Sequence, residues 1–280
     1  MRMLKFLRKK IGIIGAGNMG SALAQRLRLE YRIFIFDKDK SKLQQLKGVN
    51  VAQSGSDLIK NADVAILAVK PTDFRDLLLE IKKAVRAKLL ISIAAGIKTG
   101  YIEKIVPEAR VIRVMPNIAS RIGKGISCIC QGSSSNRKDL KIANKLFKFL
   151  GKTFIFEEKM MDAVTSVSGS GPGFWAARLE NMPKDKWQEF SVKIFIPEFT
   201  KAAQGAGFSS EQAFELATLT TWGALATTEV WHITPQQLKD MVASKGGTTE
   251  AGLKVLASGG TLEEAVLAAK KRSEELSKEG

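Results

Sequence analysis

The feature that most constrains this chain is a glycine-rich segment directly after a short apolar run near the amino terminus. Residues 11–14 show no polar alternation, which is typical of a strand buried on both faces of a parallel sheet. Residues 15–20 have the pattern G-x-G-x-x-G and open a helical pattern. In that setting the first glycine permits a tight turn, the second lets a pyrophosphate approach the backbone, and the third lets strand and helix pack closely. The segment therefore predicts a dinucleotide site at a helix N-terminus, where free amide groups attract anions.

Strand-like and helix-like patterns alternate through the first half of the chain. Strands are predicted at residues 11–14, 31–36, 62–69, 89–94, 110–114, 125–130 and 153–156. Helices are predicted at residues 19–29, 41–46, 57–61, 72–85, 99–105 and 137–150. Strands separated by helices indicate right-handed crossovers, and the pattern predicts a Rossmann-like, doubly wound α/β sheet.

The strand signal disappears from about residue 160 onward. Helix-like spacing of apolar residues continues at 195–206, 210–229 and 261–276. We therefore predict two domains, a dinucleotide-binding domain over residues 1–158 and an all-α domain over residues 159–280.

Asp37 is predicted to lie at the end of the second strand, about 20 residues after the first glycine. A carboxylate there can accept hydrogen bonds from the hydroxyls of the adenosine ribose, which slightly favours NADH over NADPH. Lys38, Lys40 and Lys42 crowd the same loop and could instead receive a 2′-phosphate. Both cofactors therefore stay open at this stage.

Two polar turns precede helical patterns in the second half of the chain. Residues 168–172 read Ser-Gly-Ser-Gly-Pro, and residues 244–249 read Ser-Lys-Gly-Gly-Thr-Thr. In the second turn, Gly246, Gly247, Thr248 and Thr249 would form a helix N-terminus with exposed amides and hydroxyls, which could bind a carboxylate. Ordinary helix capping is the better explanation of each turn when it is taken alone.

The amino-acid composition argues against several classes of function. The single histidine, His232, excludes a histidine-based catalytic triad and a multi-histidine metal site, and we expect no metal. Cys128 and Cys130 are expected to be core thiols. The 44 Lys and Arg residues outnumber the 28 Asp and Glu residues, but they are scattered and lack interleaved aromatic residues, so we expect no specific nucleic acid partner. No apolar run is long enough to span a membrane, and we expect a cytoplasmic protein.

Six motifs, in chain order, resemble the pyrroline-5-carboxylate reductase family. They lie at residues 13–20, 62–71, 91–96, 113–117, 162–172 and 238–249. The resemblance implies hydride transfer from NADH or NADPH to the imine carbon of a small anionic cyclic imino acid, 1-pyrroline-5-carboxylate, which becomes L-proline. It also implies that the helical domain binds substrate and dimerises, giving a homodimer or a ring of dimers.

Roles for individual residues follow from the same resemblance. Thr249 would hydrogen-bond the imine nitrogen, and the amides of Gly247 and Thr248 would hold the substrate carboxylate, with Ser244 and Gly246 completing the substrate site. Val69, Lys70 and Pro71 would line the nicotinamide pocket. The full set of expected cofactor contacts is Gly15, Ala16, Gly17, Asn18, Met19, Gly20, Asp37, Ala68, Val69, Lys70, Pro71, Ala94 and Asn117.

The chain departs from the family pattern in its helical domain. Residues 175–194 resemble an insertion, Pro197 occupies an expected helix interior, and Lys245 replaces the usual proline. Two alternatives therefore stay open: a reductase of another cyclic imine or imino acid on the same scaffold, and a catalytically silent regulatory paralogue that binds dinucleotide. Direct nucleic acid binding is the least favoured hypothesis.

Overall fold

The computed structural model of the chain describes residues 9–279. Residues 1–8 and 280, which the two predicted domain ranges include, lie outside the described residues. The described chain forms two compact units. One comprises residues 9–114 and Ile129–Glu158, and the other comprises Met115–Cys128 and Lys159–Glu279. Residues 115–128, which we expected in the dinucleotide domain, thus group with the helices, and the domain boundary after residue 158 stays a proposal.

The first unit is built around a twisted sheet. Within the described residues its strands are β1 (Lys10–Ile14), β2 (Arg32–Phe36), β3 (Asn50–Val51), β4 (Val64–Leu67), β5 (Leu89–Ser92), β6 (Arg110–Pro116), β7 (Gly125–Gln131) and β8 (Gly151–Ile155). Their order is β3-β2-β1-β4-β5-β6-β7-β8. The pairs from β3 to β6 are parallel. The order reverses between β1 and β4, which is where doubly wound sheets bind their ligands.

Helices cover both faces of this sheet. They are α1 (Asn18–Leu27), α2 (Gly55–Asn61), α3 (Phe74–Ile81), α4 (Thr99–Ile105) and α5 (Arg137–Phe147). One buried apolar cluster joins Ile11 and Ile13 to Leu23 of α1, and a second joins Ile14 to Leu58 of α2 and Phe74 of α3. Successive β1 residues thus face opposite clusters, which confirms the predicted doubly wound, Rossmann-like sheet.

The second unit is helical apart from the strand segments that enter it. Its helices are α6 (Met161–Val164), α7 (Gly171–Leu179), α8 (Trp187–Phe190), α9 (Ile196–Gly205), α10 (Ser210–Trp231), α11 (Pro235–Val242), α12 (Thr248–Ala257) and α13 (Leu262–Glu279). The three helices predicted here correspond to α9, α10 and α13. A buried Thr and Ala face of α10 packs against α7 and α9.

The segment that resembles an insertion, residues 175–194, forms the end of α7, a turn and the first part of a long helix. After α7, the chain resumes a helical path at Trp187 and keeps it through Gly205, with a π-helical stretch over Ser191–Phe195. Pro197 lies in the first turn of α9, directly after that stretch. A proline cannot donate an amide hydrogen and clashes with the carbonyl four residues earlier, so the wider π turn accommodates it. Trp175 fastens the segment by donating its indole hydrogen to Ser191 Oγ over 2.8 Å.

Two local predictions were wrong in detail. The helix expected at residues 41–46 is one 3-10 turn, Lys40–Leu43, because the Asp39 side chain accepts from the Ser41 amide and tightens the loop. The helix expected at residues 72–85 is regular only over Phe74–Ile81 and has 3-10 turns at both ends.

Candidate active site

The glycine turn between β1 and α1 depends on backbone geometry that side chains would disrupt. Gly15 has a φ of +103°, in the region that favours glycine. A Cβ on Gly15 would lie 2.5 Å from the Ala68 carbonyl oxygen, and one on Gly20 would lie 1.9 Å from the Gly15 carbonyl oxygen. A Cβ on Gly17 would meet no atom within 4 Å. The first and third glycines are therefore needed for packing, whereas the second faces open space that a diphosphate can occupy.

A cavity of about 270 Å³ opens beside this turn, at the carboxyl ends of β1, β2 and β4. It is lined by Ile14, Gly15, Gly17, Phe36, Asp37, Lys38, Asp39, Lys42, Ala68, Val69, Lys70, Asp73, Leu77 and Glu80. Six of the expected cofactor contacts are in this set: Gly15, Gly17, Asp37, Ala68, Val69 and Lys70. Ala16, Asn18, Met19, Gly20, Pro71 and Ala94 are not in the cavity wall.

Sequence reasoning missed part of the wall. Phe36 directly precedes Asp37, and its place at the end of β2 could have identified it. Leu77 and Glu80 lie a turn apart on α3, and no motif in the sequence marks them. They become part of the site because α3 packs beside the sheet.

Asp37 joins the end of β2 to the glycine turn. Its Oδ2 accepts from the Ala16 amide at 2.7 Å, and its Oδ1 accepts from the Asp39 amide at 2.8 Å. Lys42 Nζ lies 3.6 Å from Asp37 Oδ1 and 3.7 Å from Asp39 Oδ2. A carboxylate has about four acceptor positions, so Asp37 can hold the turn and still accept from a ribose hydroxyl.

Three features of this chain make the cavity suitable for a dinucleotide. The space at Gly17 is open, the N-terminus of α1 carries no acidic residue in its first turn, and a carboxylate lies at the end of β2. In the other unit, Asn117 is buried, and its Oδ1 accepts from the Ile126 amide at 3.0 Å. Its Nδ2 has no hydrogen-bond partner among the described residues.

The turn before α12 is held by side chains. Gly246 has a φ of +71°, its amide donates to Glu250 Oε2 at 2.8 Å, and its carbonyl accepts from Arg272 Nε at 2.8 Å. The Gly246 amide lowers the pKa of the Glu250 carboxyl, and Lys254 lowers it further. The Gly247 amide closes the turn onto the Ser244 carbonyl at 2.9 Å. The amides of Thr248 and Thr249 are the first of α12 and have no partner within that helix.

Ser170 lies at the centre of this site, although we did not predict it as a site residue. Its Oγ lies 3.1 Å from Thr248 Oγ1 and 3.1 Å from Thr249 Oγ1. Ser170 is fully buried, and Thr249 is 4% exposed. The helical unit therefore brings all five predicted substrate residues into one turn, which the Ser244 carbonyl closes, and adds one further hydroxyl from Ser170.

The two cysteines lie in the core, whereas the single histidine, His232, is exposed. Cys128 and Cys130 are both fully buried, which confirms that they are core thiols. Burial raises the pKa of each thiol to about 12, and the nearby Glu158 carboxylate contributes at Cys130. Within residues 9–279 no group of three or more His, Cys, Asp or Glu residues is arranged to hold a metal ion. None of the helices in that range is long and apolar enough to cross a membrane.

Comparison with known proteins places both units in one family. Residues 10–96 match a family model described as NADP oxidoreductase coenzyme F420-dependent, and residues 191–276 match one described as pyrroline-5-carboxylate reductase dimerisation. A pyrroline-5-carboxylate reductase of Pisum sativum is 33% identical over 278 residues, covering 95% of this chain and 96% of the relative. One of Methanosarcina acetivorans is 34% identical over 286 residues, covering 96% and 98%.

Solved structures agree with the sequence relatives. The Plasmodium falciparum pyrroline carboxylate reductase with NADP bound has a TM-score of 0.62 and 30% identity, covering 96% of this chain and 98% of its own. A pyrroline-5-carboxylate reductase from Coxiella burnetii has a TM-score of 0.64 and 28% identity, covering 96% and 99%. Since relatives above 30% identity match nearly from end to end, the chain belongs to the pyrroline-5-carboxylate reductase family.

Proposed function

We propose that the chain catalyses the NAD(P)H-dependent reduction of 1-pyrroline-5-carboxylate to L-proline. The observation that carries the proposal is the nearly full-length similarity to pyrroline-5-carboxylate reductases. The two units support it, because one has a dinucleotide cavity at the switch point of its sheet and the other has a turn of amides and hydroxyls suited to an imino acid.

The proposed chemistry needs positioning more than acid–base groups. When bound, the reduced nicotinamide supplies a hydride to the imine carbon. Thr249 holds the imine nitrogen through its hydroxyl, and that nitrogen takes one proton from solvent water as the double bond becomes single. The first amides of α12 hold the substrate carboxylate, with Ser244, Gly246 and Gly247 shaping the turn around it.

On the cofactor side, Gly15 to Gly20 would carry the diphosphate. Ala68, Val69, Lys70 and Pro71 would surround the nicotinamide, with Ala94 and Asn117 nearby. We propose that NADH is preferred over NADPH, because a 2′-phosphate would face the Asp37 carboxylate while Lys42 is already shared between Asp37 and Asp39. Lys38 also lines the cavity, and Lys38 and Lys40 of the same loop could offset this repulsion.

We also propose a homodimer, or a ring of dimers, assembled through the helical unit. Residues 191–276 match the dimerisation model, and large apolar side chains lie exposed in that range. Phe214 is 58% exposed and Val230 is 52% exposed, both on α10. Size-exclusion chromatography with light scattering tests this, and a monomer would contradict it. A cytoplasmic location remains a proposal.

The direct test of the activity is oxidation of NADH and of NADPH by the purified chain with 1-pyrroline-5-carboxylate, with proline identified as product. A panel of cyclic imino acids of other ring sizes serves as the comparison. Preference for another ring size would favour the alternative reductase, in which the segment 175–194 alters the substrate. Cofactor binding without oxidation of any imine would favour the regulatory alternative.

A further inference from the structure

Ser170 is a buried serine whose position is set by an irregular turn. The π-helical turn Thr165–Gly169 immediately precedes it, and the Ser170 amide donates to the Thr165 carbonyl at 3.0 Å. This places the Ser170 hydroxyl between the hydroxyls of Thr248 and Thr249, 3.1 Å from each. Single π turns within helices often occur at functional sites, where they reorient one residue.

Both branches of the Thr249 side chain, its hydroxyl and its methyl, make contacts. Its hydroxyl donates to Ser170, and its methyl lies against Gly173 of α7. A Cβ on Gly173 would come within 2.6 Å of Thr249 Cγ2, and the next atom, Val242 Cγ1, would be 3.6 Å away. Because a β-branched side chain has a stiff χ1, these two contacts together select one rotamer of Thr249.

We infer that Ser170 is a positioning residue for the reduction, acting through Thr249, with Gly173 fixing the same side chain from its methyl side. This rests on the proposed function, in which Thr249 holds the imine nitrogen. Each hydroxyl has one hydrogen to donate. When Thr249 donates its hydrogen to the substrate, the Ser170 hydroxyl can donate to Thr249 in turn. Such a chain of hydroxyls polarises each donor and strengthens the bond to the substrate.

The first test is kinetic and uses a double-mutant cycle. Ser170→Ala is expected to lower kcat by about tenfold, roughly one hydrogen bond in the transition state, and to leave the KM of the cofactor unchanged. Ser166→Ala is the matched control, since Ser166 is also fully buried but donates to the Ala163 carbonyl in its own helix. In the Thr249→Ala background, Ser170→Ala should lower kcat less than twofold, because the residue it acts through is gone.

The second test does not require the Ser170→Ala variant to fold. Gly173→Ala is expected to lower kcat by at least tenfold, because its new methyl displaces the Thr249 side chain. Thr249→Ser keeps the hydroxyl and removes the methyl that would clash. The double variant Gly173→Ala with Thr249→Ser should therefore match Thr249→Ser alone within about twofold.

The outcomes separate the inference from the function on which it rests. A wild-type chain that fails to reduce 1-pyrroline-5-carboxylate removes the proposed function and this inference together. With an active wild type, the inference is overturned if Ser170→Ala behaves like Ser166→Ala or if its effect is fully additive with Thr249→Ala. It is equally overturned if Thr249→Ser fails to relieve Gly173→Ala.

Discussion

The two turns that we propose to bind ligands are held in place in opposite ways. The turn at Gly15–Gly20 is shaped by backbone sterics, since side chains at its first and third glycines would collide with carbonyl oxygens. The turn before α12 is shaped by side chains: Glu250, four residues away, and Arg272, 26 residues away, bind Gly246, and Ser170, 79 residues away, binds Thr249. The first kind of site is visible as a local motif, whereas the second requires the tertiary structure.

We expect the largest effect at Gly20, which tests whether backbone packing shapes the first turn. Gly20→Ala should lower the free energy of unfolding by about 3 kcal/mol, because its methyl would overlap the Gly15 carbonyl. Gly17→Ala is the matched control and should change that free energy by less than about 0.5 kcal/mol while weakening cofactor binding. Thermal melting and cofactor titration measure both, and equal stabilities of the two variants would contradict the steric account.

Asp37 tests whether one carboxylate serves both the turn and the ribose. Asp37→Ser should weaken the binding of NADH by about tenfold or more, which corresponds to the loss of one charge-assisted hydrogen bond. It should weaken the binding of NADPH less. Some loss with both cofactors is expected, because the Ala16 amide also loses its acceptor. Fluorescence titration gives the dissociation constants of both cofactors. Equal losses of affinity for NADH and NADPH would contradict the proposed ribose contact.

Arg272 tests the side-chain control of the second turn. Arg272→Met should raise the KM of the imino acid by about tenfold, because the Gly246 carbonyl loses a charged donor, and should leave the KM of the cofactor unchanged. Lys271→Met, at the exposed neighbouring position, is the control. A loss of affinity for both ligands would indicate general disruption of α13 instead.

We expect the smallest effect from protonation of Glu250, which should appear in the pH dependence of the melting temperature. The Gly246 amide holds the pKa of the Glu250 carboxyl below its ordinary value, so this bond stabilises the fold fully above the ordinary pKa and is lost as the pH falls through the lower folded pKa. The melting temperatures of wild type and Glu250→Ala should therefore differ at pH 7 and converge in the acid range. A difference that persists below the pKa would assign the effect to something other than this carboxylate.

The sequence predicted the parts of this molecule that local physics determines. The doubly wound sheet, the glycine turn and the position of Asp37 follow from apolar runs and glycine spacing, and all are present. Strand β3 has two residues and is too short to give a periodic signal. The π turn that accommodates Pro197 depends on packing, and no residue pattern marks it.

The turn proposed to bind the substrate shows the same division more clearly. Residues 244–249 were found from their composition, but the group that holds Thr249 lies 79 residues earlier in the chain. The Arg272 donor to Gly246 is 26 residues later. Such pairings come from the packing of α7, α12 and α13, so the sequence could identify the turn but not the residues that orient it.

The central claim is tested most directly by following the transferred hydrogen. The purified chain would be incubated with 1-pyrroline-5-carboxylate and NADH carrying deuterium at both positions of the reactive nicotinamide carbon, with NADPH labelled in the same way in parallel, and the product examined by mass spectrometry and NMR. The account predicts L-proline with one deuterium on the ring carbon that had been the imine carbon, formed faster with NADH. Unlabelled proline, or no proline with either cofactor, would contradict it.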